Sequence, residues 1–490
     1  MTTGEHLIGF GTSKSGNDTF YGKFASTGDL LPTSFHECTS EVLEAAVQLA
    51  KEAFPIYRKK TDAERATFLR AIAQEIVNIG DELIETACAE TALPTARIQG
   101  ERGRTTGQIE AFAAFISDPS WTKTIIDPAQ PNREPLPKPL LVQKQIALGP
   151  VAVFGASNFP LAFSVAGGDC ISALAAGCPV VFKAHPGHPN TCELVGRAIL
   201  KAAQSTGMPE GTFSMVHGRK HTVGTHLVQH PSIKAVGFTG SYQGGKALFD
   251  LAVRRPEPIP VYAEMGSINP VVLLSDRIKT QGESLAEGLS GSICLGVGQF
   301  CTNPGLVLLL KQDIDFLQKV ADKLNQMPLG TFLNEGIASA FQIGVEQFTK
   351  HPKVKKWTKN EVGPNLFSVD SAAIAQHPEL LEEVFGPSTI AIICENKADL
   401  IQVVENLPGQ LTGTIQAEKE ELEANMDIVE ALEQRVGRIL LNGFPTGVEV
   451  SAAMVHGGPF PATTDARSTS VGTQAIYRFT RPVCWQNFEN

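Results

Sequence analysis

Apolar positions recur at helical spacing through the first part of the chain. Between residues 41 and 90, Leu43, Ala46, Val47 and Ala50 form one stripe, and Phe68, Ile72, Ile76 and Ile79 form another. Thr61-Asp62-Ala63-Glu64 has the polar residue and early acids that start a helix. A second helical stretch is predicted over residues 95–117, and the proline-rich segment 128–139 ends it. Residues 140–146 then read as an extended strand, an arm leaving its domain.

From residue 151 the pattern changes to short apolar strands between helices. Strands are predicted at 151–154, 180–183, 213–217 and 235–238, with helices at 164–176, 191–204 and 245–253. That alternation implies a parallel sheet covered on both faces. A second α/β region starts near Tyr262, and its first strand, 271–274, is entered through Asn269-Pro270. The last portion, 469–486, is extended again and is a candidate partner for the 140–146 arm.

Length and charge narrow the class. A chain of 490 residues is too long for one small core, so two or three domains are expected. Apolar residues make up 42% and charged residues 19%, an ordinary globular composition. The net charge is −10 with no block of lysine or arginine, which argues against nucleic-acid and anionic-membrane partners. No apolar run approaches the length of a membrane span, and the N-terminus shows no signal-peptide pattern. Nine irregularly spaced cysteines fit free thiols in a reducing, cytoplasmic compartment better than a disulfide framework.

Four segments carry candidate chemistry. Cys301 lies in Gly298-Gln299-Phe300-Cys301-Thr302-Asn303-Pro304-Gly305, where glycine and proline imply a tight turn holding a nucleophilic sulfur at a site. Glu264 follows the strand-like 258–262 and is placed to accept a proton from a thiol or a water. An isolated glutamate is more often a surface or ion-pair residue. Asn158, in Ser157-Asn158-Phe159-Pro160, follows the strand 151–154, where its amide can face an oxyanion or simply serve a turn. Phe238-Thr239-Gly240-Ser241 leads from a strand into a helix whose first amides suit a phosphate, although Gly-x-Gly-x-x-Gly is absent. Gly9-Phe10-Gly11 reads as a loop. Lys183 ends its strand with no carboxylate in the following Ala-His-Pro-Gly-His, which removes one obstacle to a 2′-phosphate. His185, His188, Cys178 and Cys192 lack the spacing of a ligand set, so no metal site is expected.

Taken in order, these segments and Glu383-Val384-Phe385-Gly386-Pro387 resemble the aldehyde dehydrogenase superfamily over residues 39–488. The resemblance implies a Rossmann-like cofactor domain (1–130 and 147–261), an α/β catalytic domain (262–455), and an oligomerisation arm with a C-terminal segment (131–146 and 456–490). It implies that Cys301 attacks an aldehyde, that Asn158 and the Cys301 backbone N–H hold the oxyanion, and that Glu264 activates the water that hydrolyses the thioester. Lys183 and Glu383 would hold ribose hydroxyls, Phe385 would pack beside the nicotinamide, and Gly240 and Ser241 would line the cofactor groove. Pro186 stands where NAD-preferring members often carry an acid, so either NAD or NADP fits, with NADP favoured and Arg219, Lys220 or His221 as 2′-phosphate partners. A homodimer or homotetramer is implied.

Within the superfamily, Gly100-Glu101-Arg102-Gly103-Arg104-Thr105, Ala166-Gly167-Gly168-Asp169, Gln299-Phe300-Cys301-Thr302-Asn303-Pro304-Gly305 and Asn442-Gly443-Phe444-Pro445-Thr446-Gly447-Val448-Glu449-Val450 look most like the α-ketoglutaric semialdehyde (2,5-dioxovalerate) dehydrogenases. A related branch takes fatty aldehydes with NADP. A dicarboxylate semialdehyde needs a cation for its distal carboxylate, and Arg102 and Arg104 are candidates. Phe159, Phe300 and Phe444 are candidate tunnel walls. A non-catalytic relative is the alternative from another class, and the joint presence of Cys301, Glu264 and Asn158 argues against it.

Overall fold

The computed structural model describes residues 2–360 and 362–488. The predicted N-terminal helices form as Ser40–Tyr57, Asp62–Asn78, Asp81–Thr91 and Thr95–Ile116. Thr61 caps the second of them. Its hydroxyl accepts the Glu64 N–H at 3.2 Å while the Glu64 carboxylate accepts the Thr61 N–H at 2.7 Å.

Two seven-stranded sheets organise the chain. In the first, Val261–Glu264, Ala235–Thr239, Val151–Phe154, Val180–Lys183 and Phe213–Val216 run parallel in that spatial order. His6–Ile8 and Gly11–Ser13 continue it as an antiparallel edge, and the Gly9-Phe10 turn between them is the predicted loop. Val153, Val181, Phe182 and Phe213 are buried between helices on both faces, and each such side chain contributes roughly 1.5–3 kcal/mol. The register is what matters for function. Phe154 pairs with both Phe238 and Lys183, and Thr239 pairs with Glu264. The segments holding Asn158, Lys183, Gly240 and Glu264 therefore all lie at the carboxyl end of one sheet.

The second sheet runs Lys355–Lys356, Asn365–Asp370, Ser388–Cys394, Leu306–Leu310, Val271–Leu273, Gln410–Gln416 and Val436–Leu441. Leu306–Leu310 and Ser388–Cys394 are parallel neighbours. The loops entering them carry Cys301 and Glu383, so the two loops meet at one end of this sheet. Thr480–Gln486 pairs antiparallel with Leu141–Ala147, the expected arm, and Ile125–Asp127 adds a third strand to it.

One predicted helix starts late. The pattern over 164–176 is helical only from Gly168 to Ala176. Residues 159–167 curl instead through tight turns, with Phe163 N–H on the Phe159 carbonyl and Gly167 N–H on that of Ser164. A side chain at Gly167 would lie 2.8 Å from the Ala162 carbonyl oxygen. Buried Glu101 holds the curl by accepting the N–H groups of Leu161 and Ala162, both at 2.9 Å. The curl puts Phe159 and Phe163 beside the Cys301 loop.

Candidate active site

The Cys301 loop is fixed by close approach and by side-chain amides. Gly298 has φ +65°, and a Cβ there would sit 2.2 Å from the Gly386 carbonyl carbon, so only glycine lets the two loops meet. Asn269 donates to the carbonyls of Cys301 (2.9 Å) and Asn303 (2.8 Å), and Asn303 donates to that of Gly386 (3.2 Å). Gln299 accepts the Leu333 N–H at 3.0 Å. The Asn269 amide thereby pairs the Cys301 carbonyl, a backbone group of the tight turn.

Three chemical groups converge on this loop. Cys301 Sγ lies 3.5 Å from His456 Nε2. His456 Nε2 lies 3.0 Å from Glu264 Oε1, off the line of a good hydrogen bond. Ser470 Oγ donates to Glu264 Oε2 at 2.5 Å. Asn158 Nδ2 donates to the Gln299 carbonyl at 3.0 Å, which brings its amide to the same loop. The three predicted residues thus meet although they come from different sheets. His456 and Ser470 were not foreseen. They belong to a segment that the sequence groups with the arm, and no spacing in Val455-His456-Gly457 marks it.

The electrostatics follow from this packing. Burial raises the Cys301 thiol well above its ordinary pKa, and the negative charges of Glu264 and Glu383 add to that, while Arg104 opposes it. Burial also pushes Glu264 upward, but His456, Ser470 and Cys301 together outweigh it and hold the carboxyl below its ordinary value. Behind Glu264, Asp169 and Arg478 form a buried ion pair. Burial still raises the Asp169 carboxyl despite Arg478.

The substrate-side candidates separate. Phe159 packs edge-on against Phe300 (5.5 Å between centroids) and Phe163 (5.2 Å), and Phe163 lies 6.0 Å from the His456 ring. Arg104 sits over Phe163 at 5.2 Å, and its charge is felt at Cys301. Arg97, also unforeseen, lies 4.5 Å over Phe159 and is tied to Glu101 at 2.7 Å. Arg102 instead donates to the Gly80 carbonyl at 3.1 Å, on the other side of its helix. Phe444 does not join the aromatic group either. Its ring rests on Gly288 of the helix Ser275–Cys294, beside the second sheet's core.

The cofactor-side candidates come from the carboxyl end of the first sheet and from the loop that carries Glu383. Ser241 caps the helix Tyr242–Val253 and accepts the Gly244 N–H at 3.2 Å. The Lys183 ammonium, its pKa lowered to about 8 by burial, lies in the field of Glu37. Glu383 faces Gly266, where a Cβ would come within 2.4 Å of the carboxylate, so the glycine keeps this cradle open. Glu383 and Phe385 border a cleft with Ser267, Gly298 and Asn303. A helix N-terminus, a lysine at a strand end and a buried acid suit a dinucleotide's phosphates and ribose hydroxyls. Arg219 is held by Glu37 through Nε (3.1 Å) and its backbone N–H (2.9 Å), Lys220 pairs with Asp18, and His221 opens the helix His221–Gln229. His188, among the histidines weighed for metal binding, bonds the Ala156 carbonyl at 2.9 Å and Cys192 Sγ at 3.2 Å.

Residues 25–459 match the model of the aldehyde dehydrogenase family. The chain is 49% identical to α-ketoglutaric semialdehyde dehydrogenase 2 of Azospirillum brasilense, over 99% of this chain and 94% of that protein. It is 47% identical to the α-ketoglutaric semialdehyde dehydrogenase of Acinetobacter baylyi, over 94% and 89%. Among solved structures, γ-glutamyl-γ-aminobutyraldehyde dehydrogenase from Burkholderia cenocepacia superimposes with a TM-score of 0.84 at 20% identity, covering 99% of this chain and 97% of that one.

Proposed function

The chain belongs to the aldehyde dehydrogenase family, and we propose that its substrate is 2,5-dioxovalerate, oxidised to 2-oxoglutarate through a thioester on Cys301. The observation that carries the reading is the convergence of Cys301, His456 and Glu264 within hydrogen-bonding reach. The near-full-length similarity to two enzymes named for this semialdehyde supports the substrate. Arg104, over Phe163 and electrostatically coupled to Cys301, supplies the cation that a distal carboxylate requires.

Cys301 Sγ forms the bond to the aldehyde carbon. Asn158 spends one amide hydrogen on Gln299 and keeps a second, which with the Cys301 backbone N–H faces the developing oxyanion. A nicotinamide dinucleotide would supply the hydride acceptor. Lys183 and Glu383 would hold its ribose hydroxyls, Gly240 and Ser241 its phosphates, and Phe385 its nicotinamide. Glu264, ionised and held by Ser470, then takes a proton from the water that attacks the thioester.

We infer a preference for NADP. No carboxylate follows Lys183, and Arg219 is anchored through Nε and over the Phe20 ring while its terminal nitrogens have no hydrogen-bond partner among the described residues. All nine cysteines are free thiols, which fits a cytoplasmic location. The three-stranded arm, with Ile125 and Ile126 exposed, is the surface for pairing with further copies in a dimer or tetramer. Steady-state rates with 2,5-dioxovalerate, succinate semialdehyde and a fatty aldehyde, each with NAD and NADP, test the reading. A highest kcat/KM for the fatty aldehyde would overturn the substrate, and equal affinity for NADH and NADPH by fluorescence titration would overturn the cofactor preference.

A further inference from the structure

We propose that His456 is the base that takes the thiol proton of Cys301, so that the resting nucleophile is a thiolate paired with an imidazolium. The proposal rests on the reading of Cys301 as the nucleophile. In the step the S–H bond breaks and an N–H bond forms at Nε2, with no electron leaving the site.

Three observations carry it. First, Nε2 is the nitrogen that faces sulfur, at 3.5 Å, in a side chain only 1% exposed. Second, the backbone of His456 is fixed on both sides. Its N–H goes to Thr469 Oγ1 at 2.9 Å, and its carbonyl accepts the Ser470 N–H at 2.9 Å. The Ser470 hydroxyl fixes the far oxygen of Glu264. Third, Glu264 Oε1 is buried 3.0 Å from Nε2 and lacks a well-aligned donor. The negative charge of the carboxylate at that distance favours a proton on Nε2.

Charge accounting favours His456 over bulk water as the acceptor. Thiol, imidazole and carboxylate carry one negative charge in total, and so do thiolate, imidazolium and carboxylate. Loss of the proton to solvent would leave two negative charges in the buried cluster. Glu264 is the poorer base for the thiol, because Ser470 engages its Oε2 and its carboxyl is held below its ordinary value. The other charges facing the cluster are Glu383, Arg104 and Arg438 around the sulfur and the Asp169–Arg478 pair behind Glu264. The arginines favour the thiolate and Glu383 opposes it.

The test needs neither aldehyde nor cofactor, so it stands or falls apart from the substrate assignment. Iodoacetamide labelling of Cys301 is followed by peptide mass spectrometry as a function of pH in the wild type, His456→Asn and His456→Gln. The wild-type rate is expected to change by less than about threefold between roughly pH 7 and pH 9, and the variant rates to rise by about tenfold or more, as for an unassisted thiol. A variant profile no steeper than the wild type's overturns the proposal. The buried Cys170 and Cys178 report folding in the same digest. If both variants label these and are unfolded, the wild-type profile decides alone, and a tenfold rise in it overturns the proposal. If Cys301 never labels in the wild type, its reading as nucleophile has failed instead.

Discussion

The Asn158 amide donates to the carbonyl of Gln299 at 3.0 Å, and this bond joins a residue of the first sheet to the nucleophile loop of the second. Asn158 therefore holds the loop, and in the proposed mechanism its second amide hydrogen serves the oxyanion. Asn158→Ala removes both contacts, and loss of one oxyanion donor lowers kcat by about 10²–10³. Asn158→Asp keeps the shape but replaces the donor with a negative charge, and it is expected to be worse still. Single-turnover rates of the two variants check the order. If Asn158→Asp is the faster enzyme, the amide does not serve the oxyanion.

Cys301 and Glu264 are assigned to different halves of the cycle, and kinetics can part them. Cys301→Ser should abolish reduction of the cofactor, because serine is a far weaker nucleophile than a thiolate at neutral pH. Glu264→Gln keeps the sulfur and loses the water-activating carboxylate. It should release about one reduced cofactor per active site in a burst and then stall, with acyl-enzyme visible by intact-protein mass spectrometry. A Glu264→Gln enzyme that turns over steadily with no burst removes Glu264 from the hydrolytic step.

The nucleophile loop was legible in the sequence because its chemistry is local. Glycine, proline and a thiol within eight residues describe a tight turn, and Gly298 against Gly386 shows why the turn tolerates nothing larger. The strands were legible for the same reason, since short apolar runs between helical stripes leave few alternatives. His456 was not, because a histidine between Val455 and two glycines has no local signature. It becomes chemical only when the chain returns past Thr469 and Ser470 to place it beside Cys301. Arg102 and Arg104 mark the same limit. Two residues apart on one helix they point to different sides, and only knowing which side faces Phe163 separates them.

Acid should unfold the protein through its buried histidines. His6 is fully buried, with Nδ1 accepting the His217 N–H at 3.1 Å and Nε2 unpartnered. Burial lowers its pKa from 6.5 to about 4, with His36 adding to the effect. The unfolded chain therefore binds a proton below pH 6.5 that the folded chain refuses until about pH 4. The stability is complete above pH 6.5 and is lost as pH falls through this window, by about 3 kcal/mol from His6 alone. His217, lowered in the same direction by burial, adds to the loss. Urea unfolding at several pH values in this range, compared with His6→Gln, measures it. The substitution should flatten the slope, and equal slopes would place the acid sensitivity elsewhere.

The arginines give the sharpest test of the substrate site. Arg104 lies over Phe163, and burial lowers its pKa, while Glu101, Cys301 and Glu264 favour its charged form. A charged hydrogen bond to a carboxylate contributes about 1.5–3 kcal/mol. Arg104→Met keeps the bulk against the aromatic rings and removes that bond. KM for 2,5-dioxovalerate should then rise by about 10- to 100-fold, with less than about a threefold change for a neutral aldehyde of similar length. Arg102→Met, whose guanidinium is on the Gly80 carbonyl, should leave both KM values where they are. Because the two positions share a helix and a charge, a general loss of positive potential would affect both substitutions alike, whereas a carboxylate bound in the aromatic pocket depends on Arg104 only. Equal effects of the two variants, or an Arg104→Met enzyme that loses the neutral aldehyde as severely as the charged one, would remove Arg104 from substrate recognition.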